Sequence, residues 1–194
     1  MKIIFTLFGL LLASPTAFAH VAESHSGIAS GLLHPLTGWD HALVMIGIGI
    51  AAAVNAKSNA RVREYTAATL VFALLVGSLV ASGGWVIKAF ESLITLSIVI
   101  TGVIVMLGLL KKPLEKVTYM CTAAIAMVHG YTHLIEAPHS VGSMPFIIGV
   151  CISSIAIYYF GVACGKLTMH HSNIKKISMV VGSMYLLIGA LVSI

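Results

Sequence analysis

Long apolar runs separated by short polar or basic interruptions set the rhythm of this chain. Runs near twenty residues are long enough to cross a bilayer as helices, because lipid offers the backbone no hydrogen-bond partner but itself. The pattern predicts an all-α polytopic membrane protein. At the start, Lys2, the apolar stretch Ile3 to Ala13 and the triplet Ala17-Phe18-Ala19 read as a cleaved signal peptide over residues 1–19. An uncleaved first membrane helix is the other reading of the same stretch. Residues 20–34 are mixed and fit a short amphipathic or interfacial helix. Pro35 suits a helix first turn, so the first mature membrane helix is expected from Pro35 to Val54. Further spans are expected over Tyr65 to Ala81, Glu91 to Leu110, Lys116 to Ala137 and Ser143 to Gly165, with a sixth after Lys176. Ser82-Gly83-Gly84, Lys111-Lys112-Pro113 and Pro138 mark breaks between them. Residues 20–194 are thus expected to form one six-helix transmembrane domain.

Charge then orients these elements. Of the eleven Lys and Arg residues, nine (Lys57, Arg61, Arg63, Lys111, Lys112, Lys116, Lys166, Lys175 and Lys176) fall in alternate loops. Cytoplasmic loops carry such an excess, so both mature termini are expected outside, on the periplasmic face of a bacterial inner membrane. The net charge of +5 is a topology signal in short clusters and excludes a nucleic-acid surface. Composition agrees: 59% of residues are hydrophobic and 9% charged, against roughly 25% charged in soluble domains. Mean hydropathy is +1.04. Cys121, Cys151 and Cys164 lie in or at the ends of apolar segments with no CxxC spacing, and read as packing residues rather than a disulfide framework.

Against this background, ionisable residues inside apolar segments stand out. His34, Asp40 and His41 lie at the mouth of the first span, and His129, His133 and Glu136 near the outer end of the fourth. The i, i+4, i+7 spacing of the second group puts it on one helix face. His34 would lie on the face of His41 two turns up a regular helix. Such groups cost roughly 2.5–3.5 kcal/mol each to insert and mark function. A divalent ion offsets that cost, and imidazole with carboxylate suits borderline metals such as Ni²⁺, Co²⁺ or Zn²⁺. Accessory candidates are Glu91, His20 and His25. For Glu91 the alternative is a solvated charge beside Lys88, and for His20 and His25 a polar leader. Met45 is a candidate thioether or a packing residue, His139 a first contact or a loop residue, and the His170-His171 pair an exit station or a solvated loop. No GxxxxGK[ST] pattern is present, so transport would not draw on ATP bound by this chain. Rival readings are an intramembrane zinc-dependent hydrolase, a haem carrier using His41 and His129, and a metal-binding sensor.

The two motifs, His34-Pro35-x-x-Gly38-x-Asp40-His41 and His129-Gly130-x-x-His133-x-x-Glu136, resemble those of the HupE/UreJ family of nickel permeases. The resemblance extends over the whole chain. Thr132 stands where the family prefers Ala or Val, and Leu134 where it prefers Gly. The resemblance implies uptake of Ni²⁺, with Co²⁺ the alternative cargo, no permanently bound cofactor, and a link to hydrogenase or urease. It also implies an acidic residue at the start of the third span, which Glu91 matches.

Overall fold

The computed structural model describes residues 26–56, 59, 61–110, 114–169 and 174–192. The signal peptide expected over residues 1–19, with His20, His25, His170 and His171, lies outside the described residues. The rest is helical: α1 (Gly27–Thr37), α2 (Trp39–Asn55), α3 (Arg61–Ser82), α4 (Phe90–Leu110), α5 (Glu115–Ile135), α6 (Ser143–Met169) and α7 (Ile174–Val192). From the second expected span on, the boundaries hold within two or three residues, except that α3 begins four residues early and α6 ends four residues late.

The first span is the correction. Pro35 does not open it but lies in the last turn of α1, whose first turn is capped by the Ser26 hydroxyl. The chain breaks at Gly38, which is extended at φ −78°, ψ 97°. α2 then leaves at 77° to α1, a bent pair with the form of a broken span or a re-entrant loop. A regular helix through Pro35 would have pointed His34 and His41 along one line; the bend delivers them from two directions. Taken singly, α3, α4 and α6 are long and apolar enough to cross a membrane, and the bent pair makes a fourth candidate. The chain is a multi-pass membrane protein.

Glycines decide how closely the helices pack. Three interfaces each use a reciprocal pair. Gly31 of α1 lies against the Phe146 carbonyl of α6, and Gly149 against Ile28; Gly49 of α2 meets Tyr158, and Gly161 meets Ile46; Gly77 of α3 meets Met127, and Gly130 of α5 meets Leu74. Any Cβ at these positions would strike a neighbouring backbone, the small-residue packing expected of helices that associate in lipid. In consequence α6 carries α1 along its first half and α2 along its second, while α5 lies on α3. Ser78 Oγ, 2.9 Å from both the Leu74 and Gly130 carbonyls, tightens the contact between α3 and α5.

Polar side chains lie within the mainly apolar interior. His41, Asn55, Thr66, Thr118, Thr122, His129, Thr132, His133 and Ser154 are buried. Phe72, Leu79, Met120, Leu167 and Leu187 face outward. Met45 is fully buried in the apolar core with Val44, Ile48, Leu70 and Ile98, as a packing residue is. The three cysteines are free. At one end of the bundle, Asn55 closes α2 onto α5: its Oδ1 accepts from Leu114 N at 2.8 Å and its Nδ2 donates to Ala51 O at 2.9 Å. Arg61, Arg63, Lys116 and Lys166 belong to this end, with Tyr158 OH donating to Arg63 O at 2.7 Å. The histidine motifs lie at the other end.

Candidate metal centre

Three helices bring the imidazoles together. His34 comes from the last turn of α1, held in register by Thr37 Oγ1, which donates to the Leu33 and His34 carbonyls. His41 comes from the first turn of α2, just past the bend, where Gly38 leaves room beside it: a Cβ there would lie 3.4 Å from His41 Nδ1. His133 comes from the last turn of α5. One ligand nitrogen from each of these three lies within 4.8 Å of the other two. Ring centroids are 5.7 Å apart for His34–His41, 5.1 Å for His34–His133 and 4.4 Å for His41–His133.

Carboxylates flank the imidazoles on two sides. Glu136 sits at the C-cap of α5 with helical φ and ψ, so it continues the face of His129 and His133. Its Oε2 is 3.2 Å from His34 Nε2 and 3.8 Å from His41 Nε2. Asp40, half-buried, places Oδ1 2.8 Å from His41 Nδ1. The carboxylate therefore stands behind the ring, on the nitrogen opposite the one near Glu136. Histidine ligands commonly have their far nitrogen engaged in this way, which fixes tautomer and orientation.

His129 lies one turn deeper, fully buried, with its ring 4.9 Å from that of His41 and 6.2 Å from that of His133. Its Nε2 is 3.1 Å from Ser97 Oγ of α4. Glu91 is exposed in the first turn of α4 and is not in the group of converging nitrogens. His139 is exposed in the loop after Pro138. Leu134 is accommodated against the Phe146, Ile147 and Val150 cluster of α6, and the buried Thr132 turns its hydroxyl to the His129 carbonyl. The residue that the sequence did not single out is Ser97; a serine in an apolar run carries no signal until the fold sets it beside His129.

Both nitrogens of His133, both of His41 and Nδ1 of His129 are buried without a hydrogen-bond partner, His41 Nδ1 having only its ion-pair contact with Asp40. A buried polar group left unsatisfied costs roughly 1–3 kcal/mol. Each neutral ring has one bare nitrogen, so these neighbouring imidazoles offer one lone pair apiece, which fits a cation. Charge fits as well: a divalent ion facing Glu136, with Asp40 behind His41, makes a unit of no net charge, which matters where water is scarce.

A multi-pass helical bundle that gathers imidazoles and carboxylates at one end offers a group of side chains able to hold a metal ion. The family model described as HupE / UreJ protein matches residues 8–192. The chain belongs to that family, and with membership comes its association with nickel and cobalt transport. Among curated relatives, Protein HupE of Rhizobium leguminosarum bv. viciae is 27% identical over 190 residues, covering 97% of this chain and 95% of the relative. No solved structure matches the chain significantly.

Proposed function

We propose that the protein takes up a divalent transition metal, Ni²⁺ first and Co²⁺ second, across the bacterial inner membrane. The observation that carries the reading is the buried, unpartnered nitrogen pair of His133 beside His41 Nε2 and the Glu136 carboxylate. His34, His41 and His133 supply nitrogen ligands, Glu136 closes the outer side with oxygen, and Asp40 holds His41 while offsetting charge. His129 receives the ion below them. The ion is cargo, and no resident cofactor or catalytic group is assigned.

In this reading a signal peptide over 1–19 is removed, six spans follow, both mature termini are periplasmic, and the site opens outward. His20 and His25 are accessory collectors, and Glu91 draws cations to the mouth. The ion gradient or the membrane potential drives the ion inward, and hydrogenase or urease maturation consumes it. Family membership lends nothing to the hydrolase or haem readings.

Radioactive Ni²⁺ uptake in cells lacking other nickel importers tests this. Intact protein should accumulate the label; Asp40→Ala and His133→Ala, at matched expression, should fall to the empty-vector level. Excess Co²⁺ should compete more strongly than Zn²⁺. Intact protein that is present in the membrane yet gives no uptake above vector would overturn the reading.

A further inference from the structure

Ser97 has a single proton to give, and the structure shows where it goes. Its Oγ is 2.6 Å from the Ile94 carbonyl, three residues back on α4. A carbonyl only accepts, so the Ser97 O–H donates there, and its oxygen faces His129 Nε2, 3.1 Å away, with a lone pair. Two lone pairs would repel in this dry site, where Ser97 and His129 are both buried. His129 Nε2 must therefore carry the ring proton. His129 Nδ1 is then the bare nitrogen, and it is buried without a hydrogen-bond partner. At His41 the order is reversed: the Asp40 carboxylate lies 2.8 Å from Nδ1, whereas Nε2 faces Glu136 Oε2 from 3.8 Å.

From this we infer that Ser97 is a positioning residue for the metal path: it locks His129 as the Nε2–H tautomer, so that Nδ1 takes the ion below the His34, His41 and His133 group. The inference rests on the metal-transport reading and deepens it. A fourth helix, α4, thereby enters a site that the two sequence motifs assign to α1, α2 and α5. Ser97 touches no metal itself; it acts through the ring it holds, as hydrogen-bond partners of metal-bound histidines do. The ion would meet Nε2 of His41 and Nδ1 of His129, two neighbouring rings whose planes are 87° apart.

Magic-angle-spinning NMR of the chelator-washed full chain in lipid bilayers, with ¹³C,¹⁵N-histidine, reads the tautomer directly. His129 is assigned by the signal lost in His129→Gln. The intact protein should show one tautomer there, protonated at Nε2. Ser97→Ala should give a mixture of tautomers and about tenfold weaker equilibrium Ni²⁺ binding. Ser97→Thr, which keeps the hydroxyl, should restore both. A His129 protonated at Nδ1 in the intact chain would overturn the inference. So would Ser97→Ala with unaltered spectrum or unaltered Ni²⁺ affinity, or Ser97→Thr that behaves as Ser97→Ala while melting as the intact chain does. If the intact chain binds no Ni²⁺, the transport reading and the role of Nδ1 fall together, while the metal-free spectra still decide whether Ser97 sets the tautomer.

Discussion

Glu136 is the most exposed member of the site, with 38% of its side chain accessible, and it touches two of the three imidazoles. Its contribution separates into charge and shape. Glu136→Gln keeps the shape and removes the charge, so a buried divalent ion loses half of its two-carboxylate compensation. Equilibrium Ni²⁺ binding by Glu136→Gln should weaken about 10- to 100-fold, the range seen when partners around a metal are removed. Glu136→Asp, with its charge one methylene short of His34, should weaken it less. Competition with a coloured chelator measures both. Equal affinity for Gln and Glu at this position would remove the carboxylate from the site. At this scale the sequence was informative where chemistry is rare: six acidic residues and nine histidines in 194 make each one conspicuous inside an apolar run. It was silent about Ser97, because serine is common and cheap in helices, and its meaning comes from a neighbour 32 residues away.

For the helices, periodicity and breaks carried most of the information. His129, His133 and Glu136 share a face because α5 is regular through all three, up to its C-cap. Pro35 was misleading because proline tolerates a helix start yet is also found in a last turn when neighbouring packing holds it; the buried Pro35 shows the second case. The bend came from Gly38, and nothing in the local sequence distinguishes it from the glycines that serve close packing. Those packing glycines give a sharper test. Gly130→Val would drive a side chain into the Leu74 carbonyl of α3. Overpacking of that kind costs about 1–3 kcal/mol, and here the obstacle is backbone, which does not yield as a side chain end would. The detergent-solubilised variant should melt several degrees below the intact protein and lose Ni²⁺ binding, since Gly130 lies between His129 and His133. Gly84→Ala, in the open turn after α3, should leave Ni²⁺ binding unchanged although its φ of +77° disfavours alanine. Matching melts and affinities for Gly130→Val and the intact chain would refute the close contact between α3 and α5.

At the scale of the whole molecule, four described basic residues and the clustered histidines occupy opposite ends, with Lys88 at the histidine end. Arg61, Arg63, Lys116 and Lys166 are near the Asn55 end, and His34, His41 and His133 are near the loops that follow α3 and α5. Sidedness can be read with single cysteines in a background where Cys121, Cys151 and Cys164 are alanine. A membrane-impermeant maleimide added to whole cells with permeable outer membranes should label His139→Cys and spare Asn59→Cys, and lysis should expose the second. The reverse pattern would turn the protein over and put the site on the cytoplasmic face. Six spans were expected from the apolar runs, whereas among the described residues three helices, and a bent pair as a fourth, are long and apolar enough to cross.

Asn55 carries a mechanical consequence. It fastens the far end of α2 to the start of α5, so relative tilting of these two helices pivots at that point, as the arms of a pair of tongs turn about their joint. His41 stands roughly 20 Å up its arm from Asn55 at ~1.5 Å per residue. A swing of about 5° therefore carries His41 roughly 2 Å, some ten times the ~0.2 Å tolerance of a metal–ligand bond. A small motion at the joint is enough to let go of whatever the tips are gripping.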